Sequence, residues 1–344
     1  MSDENFDPTN TTLDEMREIL RGIPGPDLDA ATKTAEREAQ LTKPQGALGR
    51  LEELTGWLAT WQGRHPPSVE HPRTAVFAGN HGVAAQGVSA FPASVTEQMV
   101  QNFVHGGAAV NQLCQTFDAD LRVYEMALEE PTRDFTVDTA MSDEECARAM
   151  AYGMMAVEPG LDVLCLGEMG IGNTTSASAL AAALFGGEVQ DWVGAGTGVS
   201  GSAYENKVRV VKEGVAKHGG AGDALDILAA LGGQELAAIT GAVLAARIAR
   251  LPVVLDGFAC TIAASILFKI DPKAIDHCIV SHKSVEPGHQ KLLEAIGKRA
   301  LFDFDMRLGE ASGATLALGV LKAACACHSG MATFADAGVA GPGA

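Results

Sequence analysis

The chain has 344 residues and a formal net charge of −18. That length leaves one large α/β domain or two domains open, and a hydrophobic content of 47% can fill a large core. The acidic balance and the lack of any basic run argue against nucleic acid and anionic membranes as partners, because phosphate-rich surfaces are held by clustered Lys and Arg.

The N-terminus, MSDENFDPTN, is acidic and polar, unlike a signal peptide. Residues 1–12, roughly, are expected to be disordered. Thr12–Arg21, Leu28–Gln40 and Leu51–Gln62 carry apolar residues at helical spacing, and a Pro-rich break at His65-Pro66-Pro67 ends this helical section. The pattern then changes to short apolar runs that end in Gly-rich turns, each followed by a helical stretch. The runs are Thr74–Ala78, Leu121–Met126, Asp162–Leu166, Pro252–Asp256 and His277–Val280, with a further candidate at Asp191–Val193. Buried runs alternating with helices predict a three-layer α/β/α parallel sheet of Rossmann-like type. The last section, Gly313–Cys327, reads as an Ala-rich helix that packs back on the N-terminal helices. The expected division is a small helical domain of residues 1–70 plus 306–344, and a large α/β domain of residues 71–305 carrying the active site.

Seven cysteines are scattered along the chain, with no C-x-x-C pair. They read as small buried hydrophobes in a reducing compartment, neither disulfides nor zinc ligands. The apolar stretches are Ala-rich and broken by charges such as Arg247 and Arg250, which argues against a membrane span. The cytoplasm is the expected location. His81, His282 and His289 match no compact ligand spacing, so no metal is expected.

In an open parallel sheet, ligands bind at the carboxyl ends of the strands. Four polar, Gly-flanked turns fall there: Gly79-Asn80-His81-Gly82, Gly167 to Thr175, Asp256-Gly257, and Ser281 to Gly288. Together they imply one shared site. In the second turn, glycines let the backbone approach a ligand, while Asn173, Thr174 and Thr175 can cap the following helix. A helix start of this kind holds anions, although an ordinary capped connection has the same spacing. It is neither a Walker motif nor the dinucleotide G-x-G-x-x-G. A second Gly-rich turn, Gly194 to Gly198, precedes a helix carrying Lys207, either a phosphate cation or simply a solvated lysine. Glu310, flanked by small residues, is open to two readings. Partial desolvation would make it a useful base, or it is a carboxylate favourably placed at a helix N-terminus.

At these segments the sequence resembles the nicotinate-nucleotide–dimethylbenzimidazole phosphoribosyltransferase family. The matching stretches are LTKPQGALGRLEEL (41–54), NHGVAAQGVSAFPASVTEQMV (80–100), GEMGIGNTTSA (167–177), GGQELAAITGAVLAA (232–246), PVVLDGF (252–258), SHKSVEPGH (281–289) and RLGEASGA (307–314). They run in family order over nearly the whole chain. The resemblance implies Glu310 as catalytic base and Glu168 as a second active-site carboxylate. It implies a phosphate and ribose site at Gly170, Gly172, Asn173, Thr174, Thr175, Lys207, Asp256, Gly257 and Ser284. It implies a base pocket of Asn80, His81, Phe91, Met99, Met169 and Leu308, whose apolar members suit a planar bicyclic ring. It further implies a homodimer, small-molecule substrates (nicotinate mononucleotide and dimethylbenzimidazole) and no cofactor. Two positions depart from the family's pattern. Asn80 stands where many relatives have Asp, and Ala311 where they have Gly, which would strain the chain if φ there is positive. The rival readings are the same transfer to adenine, another benzimidazole or a phenol, and a non-catalytic nucleotide-binding relative.

Overall fold

The computed structural model describes residues 11–341. Six strands, β1 (Pro72–Ala78), β2 (Asp120–Glu125), β3 (Val163–Met169), β4 (Val253–Leu255), β5 (Cys278–His282) and β6 (Ala300–Phe302), form one sheet in the order β2-β1-β3-β4-β5-β6. Every neighbouring pair is parallel. The chain steps outward from β1 to β2, then returns to β3 and proceeds the other way. Crossovers on the two sides of that reversal leave by opposite faces, which opens a crevice at the carboxyl ends of β1 and β3.

β1 and β4 are buried along their whole length, as is β3 up to Gly167. Their uniform apolar character follows from burial on both faces. Alternate side chains still part cleanly. Ala75, Phe77, Leu164, Leu166, Val253 and Leu255 enter the larger core. Val163, Cys165 and Val254 enter a second core beneath the other face, and Val76 enters a third. Small residues bring the larger core's helices into backbone contact. A Cβ on Gly153 would lie 1.8 Å from the carbonyl oxygen of Ala238, and one on Gly241 2.0 Å from that of Met150. The helices Asp143–Met154 and Gln234–Ala249 therefore lie against each other with no side chain between them.

The helix Ser312–Gly330 covers the other face, setting Ala314, Ala317, Leu318 and Leu321 against β3 and β4. Its far end meets the N-terminal helices. Arg37 Nε donates to His328 O at 2.9 Å, and His328 Nδ1 lies 2.7 Å from Glu38 Oε1. The first helix, Leu13–Arg21, opens with a Thr12/Glu15 capping box. Its Arg17 forks onto Asp223 and Asp226 at 2.7 and 2.6 Å. The expected disorder over residues 1–12 falls mostly outside the described residues; Thr12 itself is a helix cap.

Two expectations for the elements are corrected. Asp191–Val193 is not a strand: Val189–Asp191 is a 3₁₀ turn, and Trp192 behind it is a buried plug whose indole N–H donates to Gly186 O at 2.8 Å. The sixth strand is Ala300–Phe302, whose three residues are too few to show a period. Six of the seven cysteines are buried, Cys327 is partly exposed, and all are free. Among the described residues no helix is long and apolar enough to cross a membrane.

Candidate active site

Parallel strands end on one side of a sheet, and the polar turns after β1, β3, β4 and β5 therefore converge there. A cleft of about 390 Å³ opens beside them. Its walls hold Phe91, Met99, Glu168, Met169, Gly170, Asn173, Thr174, Gly257, Ser284, Leu308 and Glu310, all expected from the sequence.

Glu168, near the end of β3, and Glu310, from the loop after β6, meet because the loop is docked on the strand. Glu310 N donates to Glu168 O at 3.2 Å. The loop turns through three successive left-handed residues, Gly309 (φ 81°), Glu310 (φ 61°) and Ala311 (φ 58°). Gly309 is required twice over, since a Cβ there would also lie 2.6 Å from Glu168 Oε1. Ala311 takes the conformation with its methyl fully buried. Burial, with the negative charge of Asp256, pushes the Glu310 carboxyl up to about 7. Burial, then the charges of Asp256, Glu235 and Glu310, push Glu168 up to about 8, although Asn173 Nδ2 donates to its Oε2.

That contact corrects a further expectation. Asn173, Thr174 and Thr175 do not cap their helix with their side chains: the N-cap is Gly172 at φ 99°, with no side-chain cap. Asn173 turns to Glu168, Thr174 Oγ1 accepts from Lys207, and the Thr175 hydroxyl is buried without a partner. The positive end of the helix is left beside the cleft at Thr174.

Lys207 is not a solvated lysine. It is fully buried, with Nζ donating to Thr174 Oγ1 at 2.9 Å and Gly194 O at 3.0 Å. Burial lowers its pKa to about 8 against the raising effect of Glu286. Lys207 and Glu286 strap the Gly194–Gly198 turn between them, Glu286 Oε1 accepting from Gly196 N at 2.9 Å.

Asn80 and His81 were expected in the base pocket, and the structure brings neither into the cleft. The His81 ring is 2% exposed, with Nε2 at 2.7 Å from Glu235 Oε1 and Nδ1 at 3.1 Å from Ser176 Oγ. It sits behind Gly170, tying two helices to the end of β1. Asn80 Nδ2 donates to Leu128 O at 2.9 Å, turned toward the 127–132 loop. Gly172, Thr175, Lys207 and Asp256 also lie behind the walls rather than in them. Asp256 is 1% exposed, because its carboxylate accepts from Ala314 N at 3.0 Å.

The sequence reading missed His282, Glu286, Arg307, Val95 and Phe258 as wall residues. His282 and Glu286 stand inside the Ser281-to-Gly288 turn that marked the site, so their signal was position. Arg307 precedes the Glu310 loop and reaches Gly196 O at 3.3 Å. Among the described residues no three His, Cys, Asp or Glu side chains are grouped to hold a metal ion.

This chain is similar to known proteins over nearly its full length. Residues 23–339 match the family model DBI_PRT, described as a phosphoribosyltransferase. The nicotinate-nucleotide–dimethylbenzimidazole phosphoribosyltransferase of Brucella anthropi is 54% identical over 330 residues, which are 96% of this chain and 97% of that one. The protein of the same name from Rhizobium etli is 55% identical over 330 residues, with the same coverage. The crystal structure of the Thermus thermophilus enzyme of that name superposes with a TM-score of 0.85 at 39% identity, covering 92% of this chain and 99% of that chain.

Proposed function

The chain belongs to the nicotinate-nucleotide–dimethylbenzimidazole phosphoribosyltransferase family, and from that premise we propose that it moves the phosphoribosyl group of nicotinate mononucleotide to 5,6-dimethylbenzimidazole, with Glu310 as the base. The products are α-ribazole 5′-phosphate and nicotinate, as cobalamin nucleotide-loop assembly requires. The observation that carries the residue roles is the pairing of two carboxylates of raised pKa, Glu168 and Glu310, in one apolar-walled cleft.

The donor's pyridinium leaves as nicotinate with a neutral ring nitrogen, and positive charge develops at ribose C1′. A carboxylate close by stabilises that charge. Burial holds Glu168 largely protonated at neutral pH, and a cationic ring bound beside it favours its ionised form. The imine nitrogen of dimethylbenzimidazole attacks C1′ from the opposite face, which inverts β to α. Its N–H proton then passes to Glu310, whose pKa of about 7 suits a base at neutral pH. Gly170, Asn173, Thr174, Gly257 and Ser284 line the donor side, with the Lys207 charge behind Thr174. Phe91, Met99, Met169 and Leu308 supply apolar surface for the acceptor ring.

A homodimer in the cytoplasm completes the proposal. The first part rests on the family resemblance, the second on seven free cysteines, which suit a reducing compartment. We extend the proposal to the domain division, residues 1–70 with 306–344 as the small helical unit and 71–305 as the large one; the Arg37 and Glu38 contacts to His328 support it, whereas the helix Leu13–Arg21 packs Leu13, Met16 and Leu20 into the larger core. Light scattering on the purified protein tests the dimer.

The deciding assay mixes the protein with nicotinate mononucleotide and a panel of bases, following nicotinate release and the riboside product. An α-riboside phosphate of dimethylbenzimidazole is expected. Product only with adenine, another benzimidazole or a phenol would replace the acceptor and keep the mechanism. No product from folded protein would overturn the assignment. Glu310→Gln should bind both substrates and lose roughly 10²–10⁴-fold in turnover.

A further inference from the structure

The loop that carries Glu310 is held by three strand ends, and one of its anchors is a buried carboxylate that the reaction does not consume. Asp256 follows β4. Its Oδ1 accepts from Ala314 N at 3.0 Å and lies 3.6 Å from His282 Nδ1. Oδ2 is buried and has no hydrogen-bond partner. The helix Ser312–Gly330 has no side-chain cap of its own, since its N-cap is Ala311. The first turn of a helix leaves N–H groups without partners, and its positive end favours an anion.

The fit is close. A Cβ on Gly313 would lie 2.0 Å from His282 Nδ1 and 2.8 Å from Asp256 Oδ1, so only glycine lets the helix start approach both. On the β3 side, Gly167 leaves room for Ala311 in the same way. The base-bearing turn is thus fixed by Gly167 and Glu168 O from β3, by Asp256 from the end of β4, and by His282 of β5.

We propose that Asp256 is a positioning residue of this enzyme and not a substrate ligand: its carboxylate docks the N-terminus of the helix that follows Glu310 and sets its negative charge beside that side chain. The proposal rests on the reading of Glu310 as the base. Burial pushes the Asp256 carboxyl up, while the neighbouring His282 and the N–H groups of Ala314, Gly313 and Ala311 work against that shift. Asp256 in turn is the charge that adds to burial in raising Glu310. The other titratable and charged groups around the cleft are Glu168 on β3, His282 on β5, Glu286 and Arg307 on the loops, and Lys207 behind Thr174.

The test is the pH dependence of kcat/KM for wild type, Asp256→Asn and Glu310→Gln, with Tm measured on each. Asp256→Asn keeps an oxygen to accept from Ala314 N, removes the charge, and places an NH2 group where the unpartnered Oδ2 stood. Its acid limb should move to lower pH by about half a unit or more, and its plateau rate should fall by about two- to threefold with the weaker base. A purely structural role would lower rate or Tm and leave the limb in place. An unmoved limb in folded Asp256→Asn overturns the proposal. Should that variant not fold, Gly313→Ala decides. It leaves Asp256 intact but pushes the helix start off it, so kcat should fall at least about tenfold with little change in KM for nicotinate mononucleotide. Wild-type kcat in Gly313→Ala would also overturn the proposal. Full turnover by Glu310→Gln is a separate failure, because it removes the base assignment itself.

Discussion

Gly167→Ala is the sharpest probe of how the two carboxylates are brought together. A Cβ at 167 would lie 2.1 Å from Ala311 N, 2.5 Å from Ala311 Cα and 2.4 Å from Ala311 Cβ. Carbon atoms in ordinary contact sit about 3.5–4.0 Å apart. The turn must therefore retreat by about an ångström or more, and the obstacle is mostly backbone, which cannot swing aside. Retreat pulls against the 3.2 Å bond from Glu310 N to Glu168 O. Overpacking of this kind costs about 1–3 kcal/mol, which at roughly 2–4 °C per kcal/mol for a large domain lowers Tm by several degrees. The catalytic cost is larger, because a misplacement of about 1 Å can remove about 10²-fold in rate. At saturating substrates, nicotinate release should fall by about that factor, with KM for nicotinate mononucleotide little changed. Gly56→Ala is the control, since its methyl would meet nothing within 4 Å. A folded Gly167→Ala protein with wild-type kcat would refute the account of how Glu310 is held.

Two further outcomes follow from the charges. Glu310 and Glu168 have pKa values raised to about 7 and about 8, so between pH 4.5 and 8 these two side chains hold more protons in the folded protein than in the unfolded chain, while the buried His277 and His289, lowered to about 3, act in the opposite sense below pH 6.5. The contribution of the two carboxyls to stability is full at the acid end of that window and is lost as pH rises through it. In thermal melts across the window, wild type should lose stability relative to Glu310→Gln as pH rises; parallel curves would contradict the raised Glu310 value. Asp162, at the opposite end of the sheet, accepts from Glu70 N at 2.7 Å, His71 N at 2.9 Å and Ser68 Oγ at 3.2 Å, and pairs with Arg64 at 2.5 Å. Asp162→Ala strands these donors and should cost about 1–3 kcal/mol in denaturant melts, while kcat of the folded protein stays at the wild-type level. A rate loss matching the stability loss would show that the two ends of the sheet are coupled.

Much of the site was legible because its chemistry sits at a change of sequence period. Runs such as Asp162–Leu166 end where glycine and polar residues begin, and in a parallel sheet those ends must share one side. Glu168 is visible in this way, whereas Glu310 stands out by its small neighbours ahead of the last helix and by the family resemblance, which also points to Ala311, whose φ of 58° is left-handed. What stayed hidden depends on long-range pairing. His81 stands in a polar turn like the others, but its partner Glu235 is 154 residues away, and only the fold reveals that the ring faces inward. Lys207 reads as one more helix lysine until the Gly194–Gly198 turn folds over it. β6 has too few residues to show any period, and the Trp192 plug resembled a strand because both are short apolar runs.

The strand order explains why Glu310, the proposed base, comes from the far end of the chain. After β6 the chain is at one edge of the sheet, and the helix Ser312–Gly330 must travel back beneath it to cover β3 and β4. The Thr315 hydroxyl meets that of Thr74 on β1 at 3.0 Å, so the first turn of this helix lies under the middle of the sheet, next to the reversal between β1 and β3. A loop entering there has to reverse sharply, and it does so through left-handed residues, including two that are not glycine. Each such residue costs on the order of 1–2 kcal/mol. The strain persists because Glu168 O, Asp256 and the glycine seats at 167 and 313 over-determine the turn. The same docking that strains the backbone buries Glu310 beside Asp256, and burial with that charge brings its pKa to about 7. Backbone strain and base strength thus have one cause, and a variant that relaxes the turn should weaken the base as well.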